Sequence, residues 1–142
     1  MNIMVNTYNF NNVDYFNYLK EYLKPTMRAV IIPFANEMKV FTQERHFDNL
    51  YHPEYGRDFK ILSRSFYDYG IEKEHICVLN PHKDFIKFMK YKIENADILL
   101  FTDGDYLACS DYLKAMHLFD TVKNFQGIVM ITSYNKFNIF PR

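Results

Sequence analysis

The chain has 142 residues, 49% hydrophobic and 18% aromatic, enough apolar surface for one domain with a sizeable core. Seventeen basic residues balance seventeen acidic ones, and the basic ones are scattered, so neither a global field nor a local patch points to nucleic acid or an anionic membrane. No apolar stretch approaches bilayer length, the N-terminus lacks a signal-peptide pattern, and Cys77 and Cys109 are unclustered; the expected location is the reducing cytoplasm.

Taken in chain order, the sequence alternates between two periods. Short apolar runs at Ile3 to Val5, Ala29 to Ile32, Ile76 to Leu79, Ile98 to Phe101 and Ile128 to Thr132 have the length and β-branched content of strands buried on both faces. Between them, four segments carry apolar residues at helical spacing. These are Val13, Phe16, Leu19 and Leu23; Phe59, Leu62, Phe66 and Tyr69; Phe85, Met89 and Ile93; and Cys109, Tyr112 and Met116. Asn12 is placed to cap the first helix and Pro25 to end it, Gly70 follows the second, Asp84 opens the third, and Asp105 caps the fourth. Strand and helix alternating in this way predict an α/β fold, a three-layer α/β/α sandwich with a mainly parallel sheet of about five strands. Residues 36–53 are long, mixed and rich in Phe, Tyr and His, and are expected to form a loop over the strand ends.

The run Ala96-Asp97-Ile98-Leu99-Leu100-Phe101-Thr102-Asp103-Gly104-Asp105, then Leu113-Lys114, then Lys123 to Met130, resembles peptidase family S51, the peptidase E and cyanophycinase-like serine peptidases. The opening Asn2 to Phe10 and the segment Ala29 to Ala35 are similar to that family's first two strands. The resemblance implies a class I glutamine amidotransferase-like fold and hydrolysis of dipeptides or aspartyl peptides, with no cofactor. It places the family's nucleophile position at Ser133 and the substrate and oxyanion region at Asp103, Gly104 and Asp105. In the family, later strands deliver the catalytic His and its acidic partner. Here, the seven residues after Asn135 hold no His, Asp or Glu, so the expectation is a single, truncated domain over residues 1–142 in which the triad is not completed.

The departures from the family pattern bear on chemistry. Glycines that flank the nucleophile in the family are replaced by Ile131 and Asn135, and the small residue after it by Tyr134; a strained nucleophile elbow needs small neighbours there. Asp103 replaces the first glycine of the oxyanion pair, and a carboxylate beside developing negative charge opposes its stabilisation. Without a His, a serine hydroxyl is a poor nucleophile near neutral pH.

Each candidate also has a plainer reading. Ser133 reads first as a serine on a frayed or rearranged C-terminal segment. Asp103 and Asp105 read as turn and helix-cap residues, and Cys109 as a core cysteine. The histidines at 46, 52, 75, 82 and 117 show no metal spacing; His46 and His52 with Glu44, Asp48 and Glu54 read as a solvated polar loop before a cation site.

Three functions follow as expectations: an inactive S51-like peptidase, a module binding a peptide or small molecule in the strand-end crevice without chemistry, or an assembly protein. For the last, a sheet edge left after the fifth strand and the apolar residues Ile131, Phe137, Ile139 and Phe140 suggest a homodimer through that edge or the C-terminal tail.

Overall fold

A computed structural model describes residues 1–35 and 39–132 of the chain. Five strands, β1 (Asn2–Met4), β2 (Ala29–Ile32), β3 (Ile76–Val78), β4 (Ile98–Phe101) and β5 (Ile128–Ile131), form one sheet in the order β1-β5-β4-β2-β3. Every pairing is parallel. The helices are α1 (Val13–Leu19), α2 (Lys39–Thr42), α3 (Glu44–Tyr51), α4 (Arg57–Tyr67), α5 (Ile86–Glu94), α6 (Tyr106–Ala115) and α7 (Phe119–Lys123).

The strand residues alternate between the two faces, as the two-residue period of a strand requires. Val30, Ile32, Leu99, Phe101, Val129 and Ile131 pack with Met89 and Ile93 of α5, Cys109 and Leu113 of α6 and Val122 of α7. Ala29, Ile31, Ile98, Leu100 and Met130 pack on the other side with Leu19 of α1 and Leu62 and Phe66 of α4. Two apolar layers therefore sandwich the sheet, which explains why β2 and β4 read as uninterrupted apolar runs and are buried at every position.

Local chemistry sets several element ends as expected. The Asn12 side chain accepts from the Tyr15 N–H at 3.1 Å, and Asp105 accepts from the N–H groups of Leu107 and Ala108 at 3.0 and 3.1 Å, capping α6. Gly70 follows α4 at φ 86°, a conformation that a side chain disfavours.

Other expectations are corrected. Residues 39–51 are not a loop over the strand ends: they form α2 and α3, and Phe47 and Tyr51, one helical turn apart, are buried against Val78 of edge strand β3. The other apolar contact of this stretch is a single ring, Phe41 of α2, set against Phe34 and Tyr112, so no continuous apolar stripe marks it in the sequence. Helix α7 was also absent from the pattern, because it is five residues long with one buried side chain, Val122.

Helix α1 ends at Leu19, well before Pro25. Asp84 does not cap α5, whose cap is Phe85; its carboxylate accepts from the Asn80 N–H at 2.9 Å and pairs with Lys92 Nζ at 2.7 Å. Finally, β5 makes no sheet edge. It lies between β1 and β4, with Ile3 opposite Met130 and Leu100 opposite Met130, so the outer strands are β1 and β3. The tail residues proposed to dimerise, beyond Thr132, lie outside the described residues.

The Asp84–Lys92 pair is largely shielded, with side chains 10% and 15% exposed, and Lys92 also donates to the Val78 carbonyl at 3.1 Å. Asp84→Ala leaves a shielded ammonium without its counter-charge and is expected to lower stability by about 3 kcal/mol, measured by urea unfolding.

Candidate functional site

A parallel sheet presents a crevice where successive connections leave in opposite directions. Here the chain passes from β2 outward to β3 and then returns to place β4 on the other side of β2, so the switch point lies at the carboxyl ends of β2 and β4. Pro33-Phe34-Ala35 follows β2, and Thr102-Asp103-Gly104-Asp105 follows β4. Tyr8 arrives from the loop after β1, and Thr132 from the end of β5.

Backbone hydrogen bonds lock these segments together. The Asp105 N–H donates to the Ala35 carbonyl at 2.9 Å, drawing the turn after β4 against the segment after β2. Gly104, at φ 146°, sits in this contact, and a Cβ there would collide with the Ala35 carbonyl oxygen. Thr102 is fully buried, and its N–H reaches the Ile32 carbonyl at 3.3 Å. Thr132 donates its hydroxyl to the Phe101 carbonyl at 2.8 Å, tying β5 to β4 at their ends. Asp103, Gly104 and Asp105 are exposed.

Tyr8 is the residue that sequence reasoning missed. Its hydroxyl oxygen accepts from the Asp103 N–H at 3.0 Å, and its carbonyl accepts from Ser65 Oγ on α4 at 2.6 Å. Burial pushes the phenol up to about 12; the Asp103 N–H pulls the other way, while the negative charges of Asp58 and Asp103 add to the rise. Asp58, on the first turn of α4, is buried and paired with Arg57 Nε at 3.1 Å. The signal that could have found Tyr8 is its place just past a strand's carboxyl end, where side chains face the crevice.

The structure thus brings Asp103, Gly104 and Asp105 together with Tyr8 and Thr132. Ser133, the candidate nucleophile, lies outside the described residues. The histidines are dispersed. His52 stacks on Tyr55 with centroids 4.0 Å apart, His75 Nδ1 lies 3.3 Å from the Met27 carbonyl, and His82 meets the edge of Phe47. Among the described residues, no three His, Cys, Asp or Glu side chains gather as metal ligands would. Cys109 is buried in the core, its thiol pushed up to about 12 by burial, and burial also raises the half-buried Cys77.

Two other concavities lie elsewhere. One of about 380 Å³ runs between α3 and β3, lined by Tyr51, Cys77 and Lys92 among others. A more open groove of about 870 Å³ lies at the amino ends of β4 and β5, beside Asp97, Asn124 and Gly127. Neither is lined by Asp103, Gly104 or Asp105. Among the described residues no helix is long and apolar enough to cross a membrane. No protein-family model matches the chain, and no curated protein matches it significantly.

Two outcomes follow from this geometry. Gly104→Ala adds backbone strain to a steric collision and is expected to cost about 3 kcal/mol in urea unfolding. Tyr8 and Tyr69 ionise at about 12 in the fold against 10.0 ordinarily. The unfolded chain therefore releases these protons first, so their stabilising contribution is complete below pH 10 and is lost as pH rises from 10 to 12. Urea midpoints measured across that range are expected to fall, and Tyr8→Phe to fall less steeply.

Proposed function

We propose that this chain is a non-hydrolysing relative of the S51 peptidases, a peptidase E-like scaffold that binds a small amine-bearing ligand, such as a peptide N-terminus, in the crevice at the ends of β2 and β4. The observation that carries the reading is the hydrogen bond from the Asp103 N–H to the Tyr8 hydroxyl. In the resemblance, Asp103 occupies the first position of the glycine pair that assists the oxyanion. A donor already satisfied by a neighbouring phenol is not free to meet a developing negative charge, and an oxyanion hole works through donors held open for that charge.

Electrostatics favour the same conclusion. Asp103 and Asp105 are exposed at the crevice and Asp58 lies on its flank. These carboxylates disfavour an oxyanion and attract an ammonium group, with Coulomb energies that gain weight wherever water is partly excluded. The close approach of Gly104 to Ala35 and the hydroxyl tie of Thr132 hold the rim rigid, so a ligand meets a preformed surface.

The test has two arms. Purified protein incubated with aspartyl dipeptides and aspartyl-p-nitroanilide is expected to release no product; turnover that Ser133→Ala abolishes would reject the non-hydrolysing reading. Calorimetric titration with a panel of dipeptides and their N-acetylated forms is expected to give binding only for free amines, weakened roughly tenfold by Asp103→Asn, the size of one lost charge-assisted contact. Equal binding of acetylated ligands, or none at all, counts against the crevice as an amine site.

A further inference from the structure

Helix α5 presents an apolar face that the fold does not use. Met89 and Ile93 are fully buried in the core, which turns Lys87, Phe88, Tyr91 and Glu94 to the opposite side of the helix. Phe85 is 84% exposed, Tyr91 61%, Phe88 47% and Ile86 44%. Single exposed apolar residues are ordinary, but Phe85, Phe88 and Tyr91 succeed one another at three-residue spacing, and three exposed rings in succession mark an interaction surface. The rings are also held in place. Phe88 and Tyr91 lie 6.3 Å apart at an interplanar angle of 23°, and Lys92 Nζ sits 4.7 Å from the Phe88 ring centre. Aromatic rings already ordered lose little freedom on docking.

The charges along this face select the partner. The amino-terminal half carries Lys87, and the carboxyl-terminal turn carries Glu94. If a second α5 lies antiparallel across a two-fold axis near Tyr91, Lys87 of each copy meets Glu94 of the other, while Phe88 and Tyr91 fill the seam. The face is then complementary to itself, as an isologous contact requires. A parallel two-fold arrangement would instead carry this flank to opposite sides of the seam in the two copies and leave Lys87 without Glu94. Within one copy Lys90 lies 4.0 Å from Glu94, a long and exposed pair, so Glu94 is not committed to it.

We propose that the exposed face of α5 is a homodimer interface in which two helices pack antiparallel about Tyr91. The helix spans about 13 Å, so the contact is smaller than the roughly 800 Å² per partner of a standard stable interface, and the dimer is weak, with a dissociation constant in the micromolar range. This interface is independent of the crevice and uses neither sheet edge.

Sedimentation velocity on the full chain across roughly 1 to 200 µM is expected to show concentration-dependent dimerisation. Phe88→Glu and Tyr91→Glu, both at exposed positions, are expected to weaken it at least about tenfold, with unfolding midpoints reported alongside to establish that the variants fold. Lys87→Glu and Glu94→Lys should each weaken it by roughly threefold, and the double swap should restore it, a recovery that only the antiparallel pairing yields. A monomer at every concentration overturns the proposal. So does a dimer indifferent to Phe88 and Tyr91, or a double swap weaker than either single variant. Capture of a monomeric chain by vesicles of phosphatidylcholine with 30% phosphatidylserine (about a third anionic lipid), lost in Tyr91→Glu, would assign the face to a membrane surface and likewise overturn it.

Discussion

The all-parallel sheet has to bury both of its faces, and most of the molecule follows from that constraint. Crossover connections must run over the faces, so the interiors of β2 and β4 are apolar throughout, and the buried polar residues next to these strands, Thr102 and Thr132, sit at strand ends. Leu99 and Leu100, adjacent in β4, point into different cores. The helices that cover those cores need only one apolar stripe each, which leaves their outer faces free to be charged, or, in α5, aromatic.

The same constraint concentrates chemistry at the carboxyl ends of the strands. There the ladder stops, and the turn residues must satisfy their own backbone groups. Asp105 does so twice, by capping α6 with its side chain and by donating its N–H to Ala35. Asp103 is satisfied by Tyr8, whose loop is in turn held to α4 through Ser65. The Asp103 N–H is therefore a satisfied donor, met by a phenol from another strand's loop.

The strand-end crevice and the exposed face of α5 are separate features of the surface. The crevice residues are polar and mutually bonded; on α5 the Phe88 and Tyr91 rings meet each other, and Lys92 lies over Phe88. Both are ordered before any partner arrives, one by hydrogen bonds and the other by ring contacts and the Lys92–Asp84 anchor.

Sequence pattern alone determined the five strands, the helices α1, α4, α5 and α6 and the capping by Asn12 and Asp105, because each depends on residues within a turn or two of one another. It also located the exposed turn Asp103-Gly104-Asp105, since strand ends are legible from where an apolar run stops. Strand order was not legible. Whether β5 is an edge depends on which partner β1 chooses, and that pairing joins residues more than a hundred positions apart through long-range packing. The role of Tyr8 was hidden for the same reason: its hydroxyl meets Asp103 only after β1 and β4 take their places in one sheet. Helix α3 and the Asp84–Lys92 pair followed suit, each decided by burial against the edge strand instead of by local propensity. Local chemistry is written in neighbouring residues, whereas the site is assembled from segments that only the tertiary fold brings within bonding distance.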